Sequence, residues 1–305
     1  MAPRLHSVGA RGLGLWHRYL YKPYYVHAPK RLVHRFTGDL TVSETHLPWG
    51  LPISFLPGSI IGTQLVRTGV HDIVLSEALA RITDRGDACV DVGANIGYTT
   101  SLLASCSGPA GRVISFEPAP DTFVFLTENI RSWRGAPIAE IEARQIALSS
   151  VESELTLTTP AGHSGDAGGR TLETVGDRLA EVQVQASTLD AVGLDRIDVL
   201  KIDVEGHELA VLQGGDGVLR HHDARDIVFE DHRPPPTAVT QRLSQAGYTI
   251  FRVEQRVGGP RLVEDIERDF AVYWDAPNYL ATIDPSRASA RFKQPGWHCL
   301  RPRRR

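Results

Sequence analysis

From residue 88 onward, short apolar runs alternate with segments of helical periodicity. No other feature constrains the fold as much, because strands separated by helices build a parallel sheet with helices on both faces. The pattern predicts strands over 88–93, 112–117, 141–148, 154–159, 182–186, 197–203 and 227–230. It predicts helices over 97–106, 121–131, 207–219 and 237–245. Residues 248–253 and 270–274 read as late strands of an antiparallel edge. Right-handed crossovers put the C-terminal ends of parallel strands at one edge of the sheet. Open α/β sheets bind their ligands at that edge.

The chain ahead of this pattern is less regular. Tyr19, Tyr21, Tyr24 and Tyr25 stand among Arg18, Lys22, Lys30 and Arg31, an arrangement read as a lid or a homodimer arm in preference to a contact for nucleic acid or an anionic membrane surface. Pro48 to Gly69 reads as turns and short strands, and 75–85 as a helix with Leu75, Leu79 and Ile82 on one face. The glycine-rich stretch 160–177, with His163 and Ser164, reads either as a lid over an acceptor or as an inert insertion.

Composition removes several function classes. The net charge is −3, although the first 40 residues hold seven Lys or Arg against Asp39 alone and the last five hold four arginines. The acidic body argues against nucleic acid as a partner. No run reaches the roughly 18 apolar residues of a membrane span, and Trp16, His17 and Arg18 interrupt the best candidate for a signal peptide. Cys89, Cys106 and Cys299 fit neither a disulfide framework nor a zinc set, so a cytoplasmic location is expected.

Four segments carry chemistry, each at the C-terminal end of a predicted strand. Asp91, Gly93, Ala94, Asn95 and Gly97 lie where a strand turns into a helix. Asn95 stands where a dinucleotide fingerprint has its second glycine, which argues against a pyrophosphate. The Asp91 carboxylate suits a cationic ligand. Glu117, followed by Pro118, comes twenty positions after Gly97, where an acidic residue accepts the hydroxyls of a ribose. A ribose, a positive charge and no pyrophosphate together describe S-adenosylmethionine.

The third segment runs from Leu200 to Glu208. Alternation puts Lys201, Asp203 and Glu205 on one face, as paired carboxylates for a general base or as a structural salt-bridge cluster. The fourth, Phe229–Pro234, offers His232, a residue type that titrates near neutral pH, or a surface histidine before a turn.

These residues resemble the FkbM family of S-adenosylmethionine-dependent methyltransferases. The resemblance rests on VDVGANIGYTT (90–100), ISFEP (114–118), STLD (187–190), DVLKIDVEGHE (198–208) and FEDH (229–232), and it spans about 71–282. It implies a Rossmann-like class I methyltransferase fold. That fold has a mostly parallel seven-stranded sheet with helices on both faces, here with an N-terminal extension over 1–70 and a basic tail over 283–305. It implies methylation of a hydroxylated small molecule such as a sugar or secondary metabolite. Asp91, Gly93, Asn95 and Gly97, with Ala94 between them, would lie around the methionine part of the cofactor. Glu117 and Pro118 would lie at the ribose, and Ala147 and Leu148 near the adenine. Asp203 and Glu205 would line the acceptor side, with His232 as the rival base. A divalent metal on these carboxylates would lower the pKa of the hydroxyl, yet no spacing demands one and no metal ligands are assigned. The rival readings are a nicotinamide-dependent oxidoreductase and a non-catalytic cofactor-binding module.

Overall fold

The computed structural model describes residues 42–160, 178–193, 196–256, 258–267 and 277–300. The short N-terminal strands are β1 (Glu44–His46) and β2 (Pro52–Ser54). The apolar runs from residue 88 extend into β3 (Ala88–Val92), β4 (Arg112–Phe116), β5 (Glu140–Arg144), β6 (Ala147–Leu148), β7 (Ser153–Pro160), β8 (Arg178–Ser187), β9 (Ile197–Ile202), β10 (Ala224–Glu230), β11 (Thr249–Arg256), β12 (Gly259–Val263) and β13 (Asn278–Thr282). The helices are α1 (Ile60–Thr68), α2 (Ile73–Ile82), α3 (Tyr98–Ser107), α4 (Pro120–Ser132), α5 (Glu208–Gln213), α6 (Asp216–His221), α7 (Ala238–Gln245) and α8 (Pro285–Phe292).

The main sheet has eight strands in the order β12-β11-β13-β10-β9-β3-β4-β5. β5, β4, β3, β9 and β10 run parallel, and β13 is antiparallel to both of its neighbours. The order reverses between β3 and β9, which makes that crevice the topological switch point. Side-chain alternation divides the apolar residues between two layers. Cys89, Val113, Val199, Val228 and Leu280 face the layer of α1, α2, α3 and α8. Val90, Ile114, Leu200, Ile227 and Ala281 face the layer of α5, α6 and α7. Both faces of the parallel strands are therefore dry, as continuous apolar runs require.

The core runs unbroken across residues 70 and 282. Leu47, Trp49, Leu51, Ile53 and Phe55 pack with Trp133 and Leu102. Trp133 Nε1 donates to the Pro52 carbonyl, and Asn129 exchanges hydrogen bonds with the Ser54 backbone. At the other end, buried Arg81 of α2 donates to the carbonyls of Arg291, Gln294 and Gly296 and pairs with Glu77.

Several elements differ from the sequence expectation. The main sheet gains an eighth strand, β12, as a hairpin on β11. The run 141–148 divides, with β5 in the main sheet and β6 in a three-stranded sheet ordered β6-β8-β7. Residues 60–68 form α1 rather than turns, because the Ser59 side chain caps its first turn and Gly69, at φ 81°, ends it. The expected helix over 207–219 becomes α5 and α6. Asp190 restarts the helix by accepting from Gly217 N and Val218 N at 2.8 and 3.0 Å. The break at Gly214 and Gly215 lies against Ser149 and Leu189. The tyrosine-rich segment, the 160–177 stretch beyond Pro160, the expected strand over 270–274 and Arg301–Arg305 lie outside the described residues.

A Cβ on Gly214 would stand 2.0 Å from the backbone oxygen of Ser149. Gly214→Ala should therefore lower the unfolding free energy by about 1–3 kcal/mol, as overpacking does. A urea titration of both chains reads this directly.

Candidate active site

Parallel pairing brings the loops after β3, β4, β9 and β10 to one edge. The loop after β3 is stitched to its neighbours. Gly93 N and Ala94 N both donate to the Phe116 carbonyl at 3.0 Å, and Asn95 N donates to Glu117 Oε2 at 2.9 Å. Ile96 N donates to the Asn95 side chain and Gly97 N to the Ala94 carbonyl. Each N–H from Gly93 to Gly97 thus has a partner within the protein. A phosphate-binding loop aims such groups at its ligand, so this loop is not built for a pyrophosphate. The nicotinamide reading loses its main support here.

The glycines answer to packing. Gly93 has φ 75°, and a Cβ there would lie 1.9 Å from the Asp203 carbonyl oxygen. A Cβ on Gly97 would lie 2.9 Å from Leu126 and 3.1 Å from Trp133. The loop after β3 is pressed against the loop after β9 on one side and α4 on the other. Asn95 takes up φ 50°, a region that asparagine tolerates better than most residues.

Lys201 closes the switch point. It is the cross-strand partner of Asp91 in the parallel register. Its Nζ lies 3.1 Å from Asp91 Oδ1 and 3.7 Å from Asp203 Oδ2, and donates to the carbonyls of Gly93 and Val92 at 2.7 and 3.2 Å. Asp91 Oδ2 accepts from Thr99 and Thr100 at 2.8 and 2.7 Å. Burial pulls the Lys201 pKa down, but Asp91, Asp203 and Glu117 outweigh it, so the ammonium is held above its ordinary range. Asp91 is fully buried. The cation that the sequence assigns to a ligand of Asp91 is therefore supplied by the protein's own lysine.

Carboxylates dominate the remaining edge. Glu117 is buried at the end of β4, with Oε1 accepting from Ala119 N and Oε2 from Asn95 N. Asp203 is partly exposed, and Glu205 is exposed at φ 51°. Glu208 is buried and accepts from Val204 N and Gly206 N; burial raises its pKa and those donors oppose the rise. Glu230 ends β10, with Oε1 3.4 Å from Nε2 of the exposed His232. Burial, then Asp203, Asp72, Glu205 and Glu208, push the Glu230 pKa up to about 9. Asp72 caps α2 and accepts from Asn278 at 2.7 Å; burial raises its pKa.

The structure thus brings Asp203, Glu205 and His232 to the same edge as Gly93, Ala94, Asn95, Gly97, Glu117 and half-buried Pro118. Ala147 and Leu148 are buried in β6, and Ala147 packs in one apolar cluster with Ala119, two residues beyond Glu117. Asp190 of the STLD segment caps α6 instead of joining the site. Sequence reasoning does not single out Glu230, Asp72 or Asn278. Glu230 has a usable signal, its place beside His232 at a strand end. Asp72 reads only as a helix start, and Asn278 has no signal.

Among the described residues, no helix is long and apolar enough to cross a membrane. No group of three or more His, Cys, Asp or Glu among them could hold a metal ion. A carboxylate-rich edge beside a loop with no free amide suits a cationic cofactor and opposes a phosphate-bearing one. This donor set fits S-adenosylmethionine.

A five-strand parallel run, with β13 reversed between β10 and β11 and the ligand edge at the switch, defines the class I methyltransferase fold. A family model described as the methyltransferase FkbM domain matches residues 91–250, and the chain belongs to this family of S-adenosylmethionine-dependent methyltransferases. The hexuronic acid methyltransferase AglP of Haloferax volcanii is 33% identical over 186 residues, covering 58% of this chain and 69% of that protein. The AMB antimetabolite synthetase AmbE of Pseudomonas aeruginosa is 34% identical over an alignment of 309 positions that covers 88% of this chain and 14% of that protein. The solved structure of methyltransferase FkbM from Methylobacillus flagellatus matches with a TM-score of 0.43 at 17% identity, over 64% of this chain and 43% of that one.

Removing the lysine from the switch point leaves Asp91 buried and uncompensated. Lys201→Met should cost about 3–5 kcal/mol of stability. Equilibrium denaturation of the variant against the parent checks this.

Proposed function

We propose that this chain transfers a methyl group from S-adenosylmethionine to a hydroxyl oxygen of a small molecule such as a sugar or another secondary metabolite. The observation that carries the reading is the carboxylate edge beside a loop whose amide groups are all engaged within the protein. Such an edge favours a cationic cofactor. It also favours a neutral acceptor over an anionic one. The name of the Haloferax volcanii relative makes sugars the starting point for an acceptor search, and because a hexuronic acid is anionic the search includes acidic as well as neutral sugars.

The cofactor supplies an already activated, sulfonium-bound methyl group. The protein's task is then chiefly orientation, worth on the order of 7–11 kcal/mol at most. In this reading Gly93, Ala94, Asn95 and Gly97 shape the methionine end, with Asp91 acting through Lys201 and α3 to fix the loop. Glu117 receives the ribose hydroxyls on lone pairs beyond those taken by Asn95 N and Ala119 N. Pro118 stands next to Glu117 at the ribose, and Ala147 and Leu148 border the adenine end. Asp203, Glu205 and His232 line the acceptor side. His232 is the proton acceptor that the arrangement favours: Asp203 already stands beside Lys201, whereas His232 is exposed next to Glu230.

Glu117→Ala should weaken S-adenosylmethionine binding at least tenfold, about 1.4 kcal/mol, with Glu117→Gln less affected. Unchanged affinity by titration calorimetry would reject the ribose role. His232→Ala should keep cofactor binding and lower kcat about 10²–10⁴-fold, the usual contribution of a positioned base. The activity itself is tested by incubating the protein with methyl-labelled cofactor and a panel of neutral and acidic hydroxylated acceptors. Label appearing as an ether on a neutral acceptor supports the reading, and label on none of the panel counts against it.

A further inference from the structure

Charges of one sign surround Glu230. Asp203 and Glu205 of the loop after β9, Asp72 at the start of α2 and Glu208 of α5 all oppose its ionisation. Asn278 of β13 sits opposite it in the strand register and donates Nδ2 to Asp72. His71 lies beside Asp72, with Nδ1 2.6 Å from the Gln64 side chain. The Lys201 ammonium is engaged by Asp91 and the Val92 and Gly93 carbonyls. Among these described groups His232 alone contacts Glu230 as a potential cation, at 3.4 Å.

We propose that Glu230, at the end of β10 and within reach of His232 Nε2, is the proton store for the methyl transfer. It gives up a proton when a cation settles at this edge and takes one back when that positive charge is lost.

This proposal rests on the function proposed above, and electrostatics supports it. Partial burial and the four carboxylates push the Glu230 pKa up to about 9, which favours the protonated form at neutral pH. An added positive charge favours the ionised form, so binding of S-adenosylmethionine expels the proton. Ionised Glu230 then accepts from the Nε2–H of neutral His232, leaving Nδ1 as the lone pair that faces solvent. In the reaction, the acceptor oxygen bonds to the methyl carbon as the carbon–sulfur bond breaks, and sulfur keeps that electron pair. The hydroxyl proton goes to His232 Nδ1, and the Nε2 proton passes to Glu230. The site returns to one proton as its extra positive charge disappears. Glu230 is therefore a positioning residue that acts through His232.

The test is calorimetric titration of the full chain with S-adenosylmethionine at neutral pH, in two buffers of different ionisation enthalpy. The wild type should release about one proton per cofactor bound, and Glu230→Gln close to none. S-adenosylhomocysteine lacks the sulfonium charge and should release less than half as many from the wild type. Cofactor affinity should rise with pH toward about 9 in the wild type, by up to roughly tenfold per pH unit, and stay flat in the variant. Equal proton release from wild type and variant, or from the two ligands on the wild type, overturns the proposal. The comparison of ligands on the wild type decides the matter even if the variant does not fold. Absence of cofactor binding to the wild type would overturn the methyl-transfer reading as well, whereas binding without linked protons overturns this proposal alone.

Discussion

Lys201 is one of four lysines in the chain, and its ammonium is buried at the switch point. It ties β9 to β3 through Asp91 and holds the Val92 and Gly93 carbonyls at the mouth of the switch point. A buried ammonium persists only when its donors are satisfied and its charge is met. Here Asp91 meets the charge, two threonines of α3 fix Asp91, and the carbonyls take further donors. The position of α3, the path of the loop after β3 and the approach of Asp203 to Gly93 all follow from this pair.

With the loop fixed, its amide groups turn inward and its neighbours present acids. In the proposed function that combination selects the class of ligand. Without free amides there is no anion cradle, and the acidic rim attracts positive charge. The same rim creates an electrostatic difficulty at Glu230, where burial and like charges oppose ionisation. A reaction that begins with a cation and ends with a neutral product and a proton suits such a group. In the proposed cycle the repulsion of like charge is relieved by the cation first and by the proton afterwards.

The parallel sheet and its four ligand-edge segments were legible because two periods, 2 and 3.6, alternate cleanly from residue 88. The division of 207–219 into α5 and α6 was hidden. It depends on Asp190, which lies so far ahead of α6 in sequence that no local capping pattern reveals it, and on the close approach of Ser149 to Gly214. Asp72 and Asn278 were hidden for the same reason, and Glu230, although part of the FEDH segment, shows no sign there of the charges that meet it. Each looks ordinary within its own segment, and only packing brings them to one place.

The sequence by itself determined the strand–helix alternation and the edge at which the motifs gather, since these follow from local periodicity and residue chemistry. Only the tertiary structure decided which charges meet. Asp91 faces Lys201 instead of a ligand, and Glu230 faces four other carboxylates. Electrostatic partners are set by distance in space, and residues far apart along the chain come within that distance only when the sheet and its covering helices have closed.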